Sequence, residues 1–220
     1  MSDIRLLDLL DGVNEWSELH SRLSSLSKPT KTGKRDGGQG KKFEKEFCKA
    51  YFKIVPQAVN EFSEVWLGDE VPTNVKKKLG IGSDHGIDLI LKKKSGKLVA
   101  VQCKFEGKPE NRISWSKHKL ANLFADGDKA DELIIFTSAG GVDKHTLSKR
   151  EGDVQIIGYA DLDALSPLFF DNLRSFLSGK KIKSESKTPR KYQTKAVLAA
   201  KSHFKKNNRG QLILPCGSGK

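Results

Sequence analysis

The residues best suited to chemistry are an acid, an amide and an amine inside a predicted β-hairpin. Two apolar runs, residues 87–91 and 98–105, flank a lysine-rich turn and are typical of paired strands. Because residues two apart in a strand share a face, Gln102 and Lys104 are expected together on one face. Asp88, at the start of the partner strand, can reach the same face. Buried polar groups must be paired, so this grouping requires an explanation.

One explanation is a metal site for phosphodiester cleavage. A hard cation such as Mg²⁺ prefers oxygen ligands, and Asp88, Gln102 and the backbone carbonyl of Cys103 can supply them. Lys104 would then orient the attacking water or neutralise charge on the scissile phosphate, while the metal lowers the pKa of the water. The alternative is an ordinary hairpin in which Asp88 and Lys104 form an ion pair. Spacing alone does not choose between these two interpretations.

The residues around the hairpin resemble the Mrr-type branch of the PD-(D/E)xK nuclease superfamily. Gly86-Ile87-Asp88 followed by Val101-Gln102-Cys103-Lys104 is similar to that branch, in which a glutamine often replaces the second acid. Upstream, Gly40-Lys41-Lys42-Phe43-Glu44 resembles the family signature Gly-x-x-Phe-Glu, whose glutamate often joins the site. The resemblance runs from Gly40 to Leu165 and implies a Mg²⁺-dependent DNA endonuclease, which is a hydrolase.

Glu44 must be positioned by a helix that the sequence predicts over residues 41–54. Apolar residues at helical spacing form a stripe that includes Phe43, Phe47 and Tyr51. Glu44 lies on the border of this stripe and could point into a site where the helix meets the sheet. The alternative is a solvent-facing glutamate that the helix dipole favours near the N-terminus.

The remaining elements predict an α/β fold with a restriction-endonuclease-like core. Helices are expected at residues 3–11, 14–25, 114–125, 142–149 and 161–177, and strands at 131–138 and 154–159. Residues 64–68 are predicted as a further strand or turn. Helices that alternate with strands after an opening hairpin indicate a central mixed sheet flanked by helices. This order agrees with the αβββαβ core of the nuclease family.

The charge of the chain indicates a polyanionic partner. The 220 residues carry a formal net charge of +13, and double-stranded DNA is the simplest partner for such an excess of lysine and arginine. The candidate phosphate contacts are Lys76, Lys77, Lys78, Lys92, Lys93, Lys94, Lys117 and Lys119. The same lysine runs could be plain solvent-exposed faces.

Other side chains suggest no additional chemistry. The three cysteines are far apart in sequence, which predicts neither a zinc site nor a disulfide framework, and the five histidines are scattered. Asp84 could assist the metal, although a turn role fits this acid better. No membrane-spanning run or signal peptide is recognisable, so a cytoplasmic protein without a membrane partner is expected.

The C-terminal part resembles the start of a superfamily 2 helicase. A helix predicted from Tyr192 and a strand over residues 209–214 lead into Gly217, Ser218, Gly219 and Lys220, which resemble a phosphate-binding loop. Gln193 lies where the adenine-reading glutamine of such helicases would be. The first glycine of the usual loop is absent, and the Ser or Thr after the lysine lies beyond Lys220. The alternative is a glycine-rich tail.

These features predict four segments. They are an N-terminal helical extension and loop (1–39), an Mrr-like nuclease domain (40–178), a basic linker (179–191) and the truncated start of a RecA-like ATPase domain (192–220). This arrangement resembles the Type ISP single-polypeptide restriction-modification enzymes, which implies ATP as a cofactor of a full-length enzyme but no ATPase activity in these 220 residues. The alternative function is a non-cleaving DNA-binding clamp that serves a translocase, since Gln102 is a weaker metal ligand than a carboxylate. The target sequence, translocation polarity and oligomeric state are not predicted.

Overall fold

The structure, a computed structural model, describes residues 4–26, 38–82, 86–114, 120–147, 154–183 and 191–211. The chain divides into two units, Met1–Ile182 and Lys183–Lys220. The first unit contains the predicted hairpin and every strand of the described residues. The boundaries of the predicted linker and ATPase segment stay predictions.

A five-stranded mixed sheet is the centre of the first unit. Its strands are β1 (Phe62–Leu67), β2 (Leu89–Lys93), β3 (Leu98–Lys104), β4 (Glu132–Thr137) and β5 (Val154–Ile157). They lie in the order β1-β2-β3-β4-β5, with β1, β2 and β3 antiparallel and β3, β4 and β5 parallel. The turn between β2 and β3 uses Gly96 at a φ of +90°, which a residue with a side chain rarely adopts. The predicted mixed α/β sheet is therefore confirmed.

Within the first unit, helices cover both faces of the sheet. The helices of the described residues are α1 (Trp16–Ser25), α2 (Gly38–Lys41), α3 (Cys48–Ile54), α4 (Pro56–Glu61), α5 (Thr73–Leu79), α6 (Ala121–Asp126), α7 (Lys144–Leu147), α8 (Tyr159–Asp163), α9 (Pro167–Leu177) and, in the second unit, α10 (Lys191–Phe204). A 3₁₀ helix, Leu6–Leu10, precedes α1, and a π-helical segment, Lys42–Phe47, joins α2 to α3.

Several predicted helices differ from the structure. Of the helix expected over residues 114–125, Ala121–Asp126 form α6, Ser114 is not helical, and residues 115–119 lie outside the described residues. The helix expected over residues 161–177 is divided into α8 and α9, because Ser166 is extended before Pro167, which begins the second helix. The helix expected over residues 41–54 contains the π-helical segment, whose wider turns were not predicted from the apolar stripe.

The sheet separates two hydrophobic cores. On β3, Val99, Val101 and Cys103 lie in the first core, whereas Leu98 and Ala100 lie in the second. This alternation is the period-two pattern predicted for the strand. It places Gln102 on the face of Ala100, opposite Cys103.

The N-terminal helices belong to the first core. Leu6, Leu10, Trp16, Leu19 and Leu23 are fully buried there. Arg174 of α9 donates hydrogen bonds to the carbonyl oxygens of Leu10 (2.8 Å) and Val13 (2.6 Å). Residues 4–26 are therefore held by both apolar packing and charge-assisted hydrogen bonds.

The second unit consists, in its described part, of α10 and the residues that follow it. Val197, Leu198 and Phe204 are exposed on it. Residues 209–211 of the predicted strand form no strand, and residues 212–214 lie outside the described residues. Within the described ranges of both units, none of the helices has the length and apolar character needed to span a bilayer.

Candidate active site

Asp88 is held at the open end of the β2–β3 hairpin. Its backbone N–H donates to the carbonyl of Val101 (3.0 Å), and its own carbonyl accepts from Gly68 N–H (3.1 Å). These bonds continue the sheet by one residue beyond β2, because Leu89 is paired with Val101 and Leu67. The backbone of Asp88 is therefore fixed between β1 and β3, and its side chain has a defined position.

The Asp88 carboxylate accepts two hydrogen bonds from β3. Its Oδ2 accepts from the side-chain Nε2 of Gln102 and from the backbone N–H of Cys103 at 2.7 Å. Gln102 is buried, with 3% of its surface exposed. Hydrogen bonds of this kind favour the ionised carboxylate. The structure thus brings together the acid and the amide that the sequence placed on one face.

Glu44 approaches the same site from the π-helical segment. This segment buries Phe43 and Phe47 in the first core and leaves Glu44 half-buried between the helix and the sheet. Burial, followed by the nearby charge of Asp88, raises the pKa of Glu44 to about 7, while Lys104 and Lys45 act in the opposite direction. Two carboxyl groups and one ammonium group therefore influence each other directly.

Lys104 ends β3 beside these acids. Its backbone carbonyl accepts hydrogen bonds from Thr137 Oγ1 (2.8 Å) and Ser138 N–H (3.2 Å), both at the end of β4. The side chain is half-buried and close enough to lower the pKa of Glu44. Asp88 binds Gln102 and Cys103 of this strand, and Glu44 lies near both Asp88 and Lys104.

Two buried thiols lie between the helix that follows Glu44 and the strand that carries Gln102. Cys48 of α3 and Cys103 of β3 are both fully buried and hydrogen-bonded to each other. Burial raises the pKa of each thiol above its ordinary value. Neutral thiols pack as small apolar groups, so this contact attaches the helix after Glu44 to the strand that carries Gln102 and Lys104.

The donor atoms at this site fit a hard cation. Asp88 and Glu44 offer carboxylate oxygens, Gln102 offers Oε1 because its Nε2 faces Asp88, and Cys103 offers a backbone carbonyl. Burial, and after it the nearby Asp88 charge, raises the pKa of Glu44, and a bound cation would favour its ionised form. In the described ranges no cluster of three or more His, Cys, Asp or Glu side chains forms a metal site, so the amide and carbonyl oxygens would be needed.

The two described lysine runs have different positions. Lys92 and Lys94 are exposed at the closed end of the hairpin, where Lys92 pairs with Leu98. At about 3.3 Å per residue, the Leu98 and Lys104 ends of β3 lie roughly 20 Å apart. Lys93 forms ion pairs with Glu61 (2.8 Å) and Glu132 (2.5 Å), which opposes the expected phosphate contact. Lys77 and Lys78 are exposed on α5, and Lys76 is half-buried.

Several predicted site residues cannot be compared with the structure. Asp84, Lys117, Lys119 and the phosphate-loop residues Gly217, Ser218, Gly219 and Lys220 lie outside the described residues. Gln193 lies in α10, within the second unit.

Other residues at the site were not predicted from the sequence. Thr137 and Ser138 are fully buried at the end of β4 and bind the backbone that follows Gln102. His20 is 5% exposed and lies 2.8 Å from the backbone oxygen of Glu106. For Thr137 and Ser138, the available sequence signal was two adjacent hydroxyl residues at the end of an apolar strand. His20 offered only a polar residue inside an apolar helical stripe.

Comparison with known proteins gives two findings. A family model described as a restriction endonuclease, of the Mrr catalytic type, matches residues 53–176, which include Asp88, Gln102 and Lys104 but not Glu44. Among solved structures, the chain is similar to an ATP-dependent Type ISP restriction-modification enzyme, LlaBIII, bound to DNA, with 24% identity and a TM-score of 0.49. That similarity covers 96% of this chain and 12% of the other. No curated protein matches the chain.

The family match agrees with the fold. It covers more than half of the chain and includes all five strands of the sheet. The resemblance based on the Asp88 and Gln102–Lys104 motifs is thereby confirmed. This chain belongs to the Mrr-type restriction endonuclease family.

Proposed function

We propose that this chain is a metal-dependent DNA endonuclease domain that hydrolyses phosphodiester bonds. The observation that carries the proposal is the Asp88 carboxylate, fixed by Gln102 Nε2 and Cys103 N–H next to Glu44 and Lys104. Family membership supports a nuclease role and DNA as the partner. The metal dependence rests on the oxygen donors described above.

Each side chain has a separate role in the proposed reaction. Lys104 directs positive charge toward the scissile phosphate and orients the attacking water. Glu44, which lies near Asp88 and Lys104, would in its ionised form accept a proton from that water. Asp88 and Gln102 are held rigidly by the sheet, so they need no rearrangement during the reaction.

Asp88, Gln102 and the Cys103 carbonyl are the proposed ligands of Mg²⁺, with Glu44 as a further oxygen donor. When bound, Mg²⁺ would stabilise negative charge at the phosphate and lower the pKa of water. The bound cation would also remove the repulsion between the two carboxylates. Metal binding is therefore expected to favour the ionised form of Glu44.

A non-cleaving DNA clamp is the second candidate function. The observation in its favour is the Gln102–Asp88 hydrogen bond, which gives the half-buried carboxylate a partner from within the protein. In the clamp, this bond would be structural, and the lysines would bind phosphates without hydrolysis. The two candidates predict the same fold and the same DNA affinity, so only a cleavage measurement distinguishes them.

We also propose that the nuclease domain is fused to an ATP-dependent motor. The support is the glycine-rich sequence that ends in Lys220, together with Gln193 at the start of α10. We expect no ATP turnover from these 220 residues by themselves, because a motor of this kind needs a metal-binding hydroxyl, an acidic metal ligand and a second lobe in addition to a phosphate-binding loop. An isolated helix and strand bury little apolar surface without the sheet of such a motor.

The test of the nuclease proposal is a nicking assay on supercoiled plasmid with the 220-residue chain. Nicked or linear product in Mg²⁺, but not in EDTA, is the expected result. Calcium should support binding but little cleavage, because its looser coordination activates water poorly. DNA binding without any Mg²⁺-dependent nicking would instead support the clamp.

A further inference from the structure

The N-terminal helices contact the segments that carry the proposed catalytic groups. The backbone N–H of Leu6 donates to Glu46 Oε2 at 3.2 Å, and the ring of Trp16 lies 6.0 Å from that of Phe43. Glu46 and Phe43 are both in the π-helical segment that positions Glu44. The N-terminal helices therefore support one side of the site directly.

A second contact reaches the backbone just after Lys104. His20 of α1 lies with its Nε2 2.8 Å from the carbonyl oxygen of Glu106. A carbonyl oxygen only accepts, so Nε2 carries the hydrogen in this bond. The ring is enclosed by Trp16, Phe105 and Tyr159, at centroid distances of 5.6, 5.3 and 5.6 Å. This polar group is thus inside an aromatic environment.

The backbone that His20 binds is fixed at three points. Thr137 Oγ1 donates to the carbonyl of Lys104 at 2.8 Å. Ser138 Oγ accepts from Glu106 N–H at 2.7 Å and lies 2.9 Å from the carbonyl oxygen of Glu106. His20 of α1 also donates a hydrogen bond to the carbonyl oxygen of Glu106. Since β3 ends at Lys104, these side chains replace the strand ladder just beyond it.

We propose that His20 is a positioning residue for Lys104, acting through the carbonyl of Glu106. This inference rests on the proposed endonuclease function. A leucine or phenylalanine would fill the aromatic enclosure without the desolvation cost of an imidazole, so packing alone does not account for a histidine there. The hydrogen bond to Glu106 does, because it fixes the chain direction immediately after the catalytic lysine. His20 lies outside the residues that the family model matches.

Two substitutions separate the hydrogen bond from the packing. His20→Phe keeps an aromatic ring among Trp16, Phe105 and Tyr159 but removes the donor. His20→Gln keeps an N–H donor near the position of Nε2. The proposal predicts that His20→Phe lowers the single-turnover cleavage rate at saturating DNA by roughly ten- to a hundredfold, since small misplacements of catalytic groups have effects of this size. The Kd for DNA should be unchanged, and His20→Gln should recover most of the rate.

A control variant tests whether a loss of stability alone lowers the cleavage rate. Phe170→Leu alters a fully buried residue of the first core on α9, whose ring packs against that of Phe169. It should lower the melting temperature without lowering the cleavage rate. Hydrogen exchange supplies a readout that is independent of cleavage. The Glu106 amide donates to Ser138 Oγ, which also binds the Glu106 carbonyl, and it should exchange about fivefold faster in His20→Phe because losing the His20 bond to that carbonyl makes local opening easier. The same amide should be unaffected in Phe170→Leu.

The outcomes separate this inference from the proposed function. If the parent chain cleaves and His20→Phe cleaves at the parent rate, the positioning role is overturned while the nuclease proposal stands. An equal rate loss in His20→Gln and His20→Phe would also overturn it, because the donor would then be irrelevant. A parent chain that never cleaves in Mg²⁺ overturns the nuclease proposal, and with it the role assigned to His20.

Discussion

Gln102 donates its side-chain amide hydrogen to the carboxylate of Asp88, which also accepts the backbone N–H of Cys103. Gln102 thus lies beside Asp88 at a position where a second carboxylate would repel the carboxylate of Asp88. These two hydrogen bonds fix the position of the Asp88 carboxylate. The bond from Gln102 also leaves the amide oxygen of Gln102 as the donor for a metal.

Gln102→Glu should lower the stability of the metal-free protein and raise its affinity for a divalent cation. A third carboxyl group beside Asp88 and Glu44 adds like-charge repulsion, which a divalent cation relieves. The melting temperature of the variant should fall below that of the parent in EDTA and rise more steeply with added Ca²⁺. Gln155→Glu, on the exposed surface of β5, is the matched control and should show neither effect. Equal Ca²⁺ responses in parent and Gln102→Glu would contradict the proposed ligand role.

Glu44 should make stability depend on pH. Its pKa is raised from an ordinary 4.5 to about 7, so between these values the folded state binds more protons than the unfolded state. Stability should therefore fall as the pH rises through this window. Glu44→Gln removes the free-energy cost of ionising this half-buried carboxyl group. It should stabilise the metal-free protein by roughly 1–3 kcal/mol at pH 8, with little gain at pH 4.5.

Denaturant unfolding at both pH values measures this difference. Glu64→Gln is the control, because Glu64 is exposed on β1. A stability difference between Glu44→Gln and the parent that does not change with pH would rule out a buried, protonated Glu44.

Lys104→Met should reduce cleavage far more than binding. The substitution keeps most of the side-chain volume but removes the charge that stabilises the transition state. A rate loss of roughly a hundredfold or more is expected, with Kd changed by less than about threefold. Single-turnover cleavage and equilibrium binding on the same duplex give both quantities. A variant that loses only affinity and cleaves normally at saturation would favour the DNA clamp.

Binding through phosphates should give affinity that depends strongly on salt. Neutralising Lys77 and Lys78 on α5 should weaken binding equally on unrelated duplexes and flatten the plot of log Kd against log salt by about 0.9 per lost contact. The comparison variant neutralises Lys92 and Lys94, which lie at the opposite end of β3 from the site. Its cleavage rate at saturating DNA should equal that of the parent. A loss of affinity confined to one DNA sequence would show base recognition instead.

The hairpin and its polar residues could be predicted because their signals are local. Period-two alternation placed Gln102 and Lys104 on one face, and the position of Asp88 at the start of the partner strand placed it within reach. The motif around Glu44 indicated its participation, but the π-helical segment that positions it was not predicted. The spacing of Phe43 and Phe47 is equally compatible with an α-helix.

The remaining contacts depend on the tertiary structure. His20 and Glu106 are separated by 86 positions, and neither belongs to a recognisable motif. The lysine runs were predicted as one group, whereas strand register places Lys92 and Lys94 at the closed end of the hairpin, away from the site. The ion pairs of Lys93 involve Glu61 and Glu132 on different elements, which no local pattern indicates.

The most direct test of the nuclease assignment compares the parent chain with Asp88→Ala on supercoiled plasmid in Mg²⁺. Removing the carboxylate takes away the central metal ligand but little core volume, so the fold should persist. The account predicts Mg²⁺-dependent nicking by the parent and a loss of roughly a thousandfold or more in Asp88→Ala, with DNA affinity retained. Circular dichroism would verify that the variant is folded. Cleavage by folded Asp88→Ala at the parent rate would contradict the assignment.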